Sequence, residues 1–411
     1  MADISHTPQL DAEDAAAPRA GAQTAEGHHT VCLKHVNAAP AQTWNWLNIN
    51  ESELCVDMPE ELARAFHEDE KHGQSLNDEL PEIARNIAMG AGKEVSTWID
   101  LTATQRSTFV VGGDEPGSNG DDAPGSNEGN KLNPKRHNDT RQPQCIVVKV
   151  GQHNQTTVIV ESHETADLYL VIDTTSNSAE GALHSAAAAL RIVLKEQASL
   201  ACSVVLLGSE HSPCVANVGA LLKSDAHLSV KHYVLGGSAT YAGMTITLEG
   251  DGALAHSEVR YIGQDHDALD ITQNVRHHEK KTTSSIEATG VLHDEAHKVL
   301  RATIDLSRGC KGAEGAETET VLMAGDKVVN KTLPVILCSE DDVAGNHGAT
   351  IGSLSEEQLF YLASHGIDTK TAHSLFSFAV ISDAKNNLPA DLATYVDTWA
   401  DKHLTSHALD I

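Results

Sequence analysis

From Cys145 to about Leu337 the chain alternates short apolar runs with glycine-rich turns: CIVVKV, TTVIVES, DLYLVID, ALRIVLKE, SLACSVVLLG, HLSVKHYVLGG, MTITLEG and EVRYIG. Runs of this length, rich in Val, Ile and Leu, predict strands. Side chains alternate sides along a strand, so Leu228, Val230, His232 and Val234 share one face. Helical periodicity is nearly absent here, and Gly181–Leu190 (GALHSAAAAL) is the ambiguous stretch. Leu200, Leu228 and Leu254 each follow small residues and each open a run that closes on a glycine, at 208, 236 and 263. A loose period in the twenties with small corner residues fits a parallel β-solenoid, whose coils stack and continue one core. An ordinary β-sandwich is the alternative that the pattern alone leaves open.

The pattern changes on both sides of this field. Residues 1–30 lack periodicity and read as a disordered tail. Residues 31–94 read as a small, mostly helical region. Within it Trp44 and Trp46 suit an extended segment, Pro59 suits a first helical position, and Leu62, Ala65 and Phe66 recur at helical spacing. Residues 95–111 read as a β segment leading into the core. Residues 112–144 have linker composition, with PGSN occurring twice, and the core is expected over 145–347. Residues 348–411 read as helical. Ser355–Gln358 forms a capping-box pattern, and Gly366 suits a left-handed helix stop. Apolar stripes follow at Leu359, Leu362 and Ala363, at Ala372, Leu375, Phe376, Ala379 and Val380, and at Leu392, Tyr395, Val396 and Trp399. Phe360, Tyr361, Phe376 and Phe378 cannot all face one side, which leaves apolar surface for a partner.

Composition narrows the function. With 29 basic against 58 acidic residues the net charge is −29, which argues against nucleic acid as a partner. No apolar run reaches the roughly 18 residues of a membrane span. The N-terminus lacks a secretory pattern, so a cytoplasmic chain is expected. The seven cysteines are scattered and odd in number, which predicts reduced thiols rather than a disulfide framework.

No phosphate-binding loop, nucleophile elbow or H-E-x-x-H helix is present. His277 and His278 are adjacent on a strand, so they point to opposite faces. His293, Asp294 and His297 fall within one turn. Asp265, His266, Asp267 and Asp270 would suit the groove of a β-helix polysaccharide lyase or hydrolase. Cys338 and His347 flank the acidic pair Asp341–Asp342 and carry ligand types suited to iron or zinc, yet two ligands do not close a site. Residues 345–350, Gly-Asn-His-Gly-Ala-Thr, read as a turn.

Residues 290–366 resemble the SufB/SufD family of iron-sulfur cluster assembly proteins, the SufD branch above all. The resemblance runs through GVLHDEAHKVLRATIDLSRGCKGAEGAETE, VLMAGDKVV, LPVILCSEDDV and NHGATIGSLSEEQLFYLASHGID, and more loosely over residues 40–400. It implies a mainly β fold: a right-handed parallel β-helix core with small helical N-terminal and C-terminal regions. It also implies a non-catalytic scaffold that pairs with a SufB-like subunit and docks a SufC-like ABC ATPase, which would carry the ATP hydrolysis. A homodimeric SufB-like scaffold is the nearest alternative. An iron-sulfur cluster would be held transiently at an interface, with none tightly bound by this chain alone. His347 matches the family's interfacial metal-ligand histidine. Gly345 stands where many SufD proteins carry a cysteine. Phe360, Tyr361, Leu362 and Phe376 fall in the region implied to meet the ATPase.

Overall fold

A computed structural model of the chain describes residues 28–41, 49–72, 80–112, 143–176 and 184–404. Trp44, Trp46, most of the expected linker and the expected tail lie outside the described residues.

The N-terminal part opens with an antiparallel hairpin, β1 (His28–Val36) and β2 (Ser52–Pro59), followed by α1 (Glu60–His72), α2 (Glu82–Arg85) and α3 (Lys93–Thr102). The core field then forms strands alternately assigned to two sheets. One holds β3 (Gln105–Val111), β5 (His153–Val160), β7 (Ala186–Leu194), β9 (Cys214–Leu222), β11 (Thr240–Leu248), β13 (Ala268–His277), β15 (His297–Leu306) and β17 (Val329–Cys338). The other holds β4 (Gln144–Lys149), β6 (Thr165–Asp173), β8 (Ser199–Leu207), β10 (His227–Leu235), β12 (Leu254–Gly263), β14 (Thr283–Leu292), β16 (Ala313–Met323) and β18 (Val343–Gly352). Each strand pairs in parallel with the strand two places on, so the chain winds as a parallel β-solenoid. Helices α4 (Glu356–Ser364), α5 (Thr369–Asn386) and α6 (Ala390–His403) follow.

The corners explain the small residues of the repeat. Gln197, Asp225, Gly252, Lys281 and Gly312 occupy one equivalent corner, each with positive φ. Each donates its backbone N–H to the next coil, as in Gln197 to Ser224 O, Asp225 to Asp251 O and Gly252 to Lys280 O. Glycine takes this left-handed turn without a Cβ clash. Ala198, Ala226, Ala253 and Ala313 follow directly and are fully buried.

Register corrects the repeat by one residue. Leu228 pairs with Leu200 on one side and with Ala255, not Leu254, on the other. A one-residue offset changes the face of the sheet, and Leu254 is accordingly exposed while Ala255 is buried. The row continues inward-facing through Ser284, Gly315 and Gly345.

Both outer faces of the middle coils are covered. The hairpin and α3 bury Leu33, Val56, Met58, Trp98 and Ile99 against Ala187, Ala189 and Val215. This settles the ambiguous alanine run as β7. Alanine is a weak strand former, but both faces of β7 are buried, with Ala187 and Ala189 packed against the N-terminal layer. Gly243 is needed for the same reason, since a Cβ there would lie 2.3 Å from the Ala91 nitrogen. On the opposite sheet α5 and α6 bury Val380, Ile381, Leu392, Val396 and Trp399 against Val205, Tyr233, Leu235 and Ile262.

Four sequence expectations change. Residues 31–36 and 52–59 form strands where a mostly helical region was expected, because Val31, Leu33 and Val36 face inward while Cys32 and Lys34 face out. Residues 95–102 are helical where β was expected, because Val95, Trp98, Ile99 and Thr102 recur at helical spacing and all are buried. The presumed turn at 345–350 lies inside β18, which pairs with β16 along its whole length. Cys32 and Cys55 face each other across the hairpin and form a disulfide. Sequence separation hid that contact; the other five cysteines are free thiols.

Candidate functional site

The solenoid ends at β18, the edge strand of its sheet, whose residues are exposed along nearly its whole length. An edge strand presents unpaired backbone donors and acceptors to another chain. His347 lies on this strand in register with Glu317, and behind it in the same row stand Ile286, Ser257, Val230, Cys202 and Leu168. All of those partners are buried. His347 is thus the last member of an interior row, and it reaches solvent only because no further coil covers it. Cys338 ends the corresponding row of the other sheet, next to Leu306, and is also exposed.

The interior chemistry changes toward this end. Early coils fill it with Leu168, Leu170, Leu190, Ile192 and Val204. Further along, Gln273 Nε2 lies 3.1 Å from His232 Nδ1, and Ser257 donates to Gln273 Oε1 at 2.9 Å. Burial lowers the His232 pKa to about 4, so the ring is neutral at pH 7. One coil below β18, Glu319 pairs with Lys298, both fully buried. Glu319 also accepts from Tyr261 at 2.9 Å and Thr332 at 2.5 Å. Burial lowers the Lys298 pKa against the pull of Glu319.

Beside this satisfied network, Glu317 Oε2 has no hydrogen-bond partner among the described residues. Burial, then the like charge of Glu319, raises the Glu317 pKa to about 8. Burial therefore favours the protonated form of this carboxyl. Glu317, Glu319 and Lys298 had no assigned role in the sequence reading. Their signal was parity: Ala313, Gly315, Glu317, Glu319 and Val321 share the inward face of β16.

The acidic cluster proposed for a polysaccharide groove is split. Asp267 is half-buried at a corner, accepting from the backbone N–H of Gly237 and Gln264. Asp270 instead anchors the N-terminal part, bonded by Arg301 at 2.6 Å and Asn37 at 2.7 Å. His277 is buried between Thr282 and Ser284 at 2.7 and 2.8 Å, a structural histidine.

The C-terminal helices carry the other exposed feature. The capping box at Ser355 and Gln358 forms, and Gly366 has φ 81°. Phe360, Tyr361, Leu375 and Phe376 are exposed by 78, 63, 49 and 43%, while Leu362 is half-buried. Of the apolar α5 positions, Ala372 and Val380 are buried, together with Ser377, Ile381 and Ala384, while Leu375 and Phe376 face out.

Residues 144–380, more than half of the chain, match the family model described as SUF system FeS cluster assembly, SufBD core domain. The chain belongs to the SufBD core family. It is 28% identical over 147 residues to the iron-sulfur cluster assembly protein SufD of Bacillus subtilis, covering 36% of this chain and 34% of that protein. It is 24% identical over 163 residues to SufD of Escherichia coli, covering 40% and 38%. The chloroplastic SufBD family protein ABCI8 of Arabidopsis thaliana is 24% identical over 162 residues, covering 39% and 29%. The matched stretch spans about a third of the length of these relatives.

Within this SufBD core, Gly345 sits two residues before His347 on the same face of β18. A Cβ at Gly345 would lie 3.3 Å from Ile336 Cγ2 and Leu306 Cδ1, so a side chain here would point into the open end. Among the described residues His347 belongs to no cluster of three metal-ligating side chains.

Proposed function

We propose that this chain is a non-catalytic scaffold subunit of a Suf-type iron-sulfur cluster assembly complex. Its open solenoid end pairs with a SufB-like subunit along β18. His347 supplies one ligand to a cluster that forms at that interface as cargo. Phe360, Tyr361, Leu362 and Phe376 dock a SufC-like ABC ATPase. The observation that carries this reading is the surfacing of an interior row at His347 on an exposed edge strand, in a chain of the SufBD core family. An exposed edge invites strand addition. The apolar surface on α4 and α5 supports a second contact, as its exposed aromatics are the residue type that dominates protein interfaces.

Co-expression with an ABC ATPase and a SufB-like protein from the same genome tests this. The expected result is a three-component complex from which Phe360→Asp with Tyr361→Asp removes the ATPase and keeps the SufB-like subunit. A chain that purifies alone overturns the reading. A homodimer that binds iron and sulfide by itself would replace it with the SufB-like alternative.

A further inference from the structure

The N-terminal hairpin carries a cluster that cluster assembly at the solenoid end does not use. Cys32 on β1 and Cys55 on β2 are direct partners in the antiparallel register. Glu53 lies two residues before Cys55, hence on the same face of β2. Cys32 and Glu53 are exposed and Cys55 half-buried. Among the described residues these are the one group of three metal-ligating side chains whose ligand atoms all lie within 4.8 Å of one another. The opposite face of the hairpin is packed on the core through Val31, Leu33, Leu54 and Val56, so the backbone that positions the three groups is fixed.

We propose that Cys32, Cys55 and Glu53 form a redox-gated site for a soft divalent cation. In the structure the two sulfurs are bonded to each other, and a disulfide sulfur is not a thiolate ligand. A dithiol reductant opens the bond: it delivers two electrons and two protons, leaves two thiols on the chain and departs as its own disulfide. A cation then displaces both thiol protons and is held by two thiolates and the Glu53 carboxylate. Zinc takes thiolate sulfur at about 2.3 Å and carboxylate oxygen at about 2.0–2.2 Å. The observed separations therefore need only side-chain rotation. Two thiolates favour zinc, cadmium or ferrous iron over magnesium or calcium. Three protein ligands leave the fourth position to water, as in open zinc sites. Exchange with an oxidised low-molecular-weight disulfide reverses the gate, releasing the cation as Cys32 and Cys55 re-bond.

The full chain, reduced under anaerobic conditions and freed of reductant, is titrated with cadmium and followed by thiolate-to-metal absorbance in the ultraviolet. One equivalent is expected to bind with this signature. It is lost in Cys32→Ser and in Cys55→Ser and retained in Cys145→Ser and Cys338→Ser. Glu53→Gln weakens binding by about tenfold or more, a loss typical even of outer-sphere partners. Chain oxidised with glutathione disulfide takes up none at this site. The wild-type chain supplies an independent readout that needs no variant: cadmium slows alkylation of Cys32 and Cys55, and leaves that of Cys338 unchanged. Equal uptake by oxidised and reduced chain, equal uptake by Cys32→Ser, or unprotected Cys32 and Cys55 in the presence of cadmium overturns the proposal.

Discussion

The early coils and the last coils of the solenoid share one backbone and differ in what fills and covers them. Around β7 and β9 the interior is aliphatic, both outer faces are buried, and Ala187 and Ala189 meet a fixed N-terminal layer. Around β16 and β18 the interior row holds a buried ion pair, a second buried carboxyl, Glu317, and an exposed histidine. Dry packing of the first kind stabilises. Polar groups of the second kind cost desolvation and add little net stability. The contrast separates the part of the molecule that holds the fold from the part available for chemistry and partners.

Four perturbations sharpen or break this contrast, the first two with comparably large effects on stability and the last with the smallest. Leu190→Ala, in the early interior, is expected to cost about 2–5 kcal/mol. Urea unfolding checks it through a lower midpoint with an unchanged slope. A loss below about 1 kcal/mol would mean that the early coils are not the stabilising part.

Glu319→Ala leaves Lys298 buried without its partner and is expected to cost about 3–5 kcal/mol. The double change Lys298→Met with Glu319→Leu should recover most of that loss. Thermal unfolding of the two variants side by side decides whether the pair contributes to stability or only must not be broken.

Glu317 gives a pH test whose sign is fixed. Its folded pKa, about 8, is raised above the ordinary value of 4.5. The protonated form is favoured by folding, so its contribution is fully present below pH 4.5 and is lost as the pH rises toward 8. Glu317→Gln, which stays neutral, should match the wild-type chain at low pH and become progressively more stable than it between pH 4.5 and 8. The buried histidines act in the other direction. His232 and His277 have pKa values lowered to about 4, so their contribution is lost as pH falls below 6.5. Subtracting the Glu317→Gln curve from the wild-type curve isolates the carboxyl. A difference independent of pH would place Glu317 in water.

The smallest stability effects are expected where the functional effects are largest. His347→Ala, and Phe360→Asp with Tyr361→Asp, change exposed side chains and should leave stability within about 0.5 kcal/mol. Calorimetry checks this. A larger loss would assign these residues to the fold.

The sequence made the solenoid legible through local signals that survive packing. Small residues before Leu200 and Leu228 mark a corner that recurs as a positive-φ position, and the Ser355–Gln358 box caps α4 as its spacing implies. What it hid were features set by neighbours distant in the chain. Leu254 looks equivalent to Leu228, and only the ladder reveals that Ala255 takes its place. Residues 345–350 have turn composition and become a strand because β16 templates them. The apolar positions of α5 do not show which of them the fold buries: Ala372 and Val380 turn inward while Leu375 stays exposed. The resemblance drew attention to His347, whereas its position at the end of an interior row, next to the buried Glu317, required register.

In the proposed complex β18 is the partner-facing edge of the solenoid. Hydrogen exchange of the chain with and without a SufB-like partner measures it directly. The amides of residues 343–352 are expected to exchange more slowly on binding, with residues 144–149 at the opposite end of the same sheet unchanged. Unchanged exchange over 343–352 in a chain that has bound the partner would contradict it.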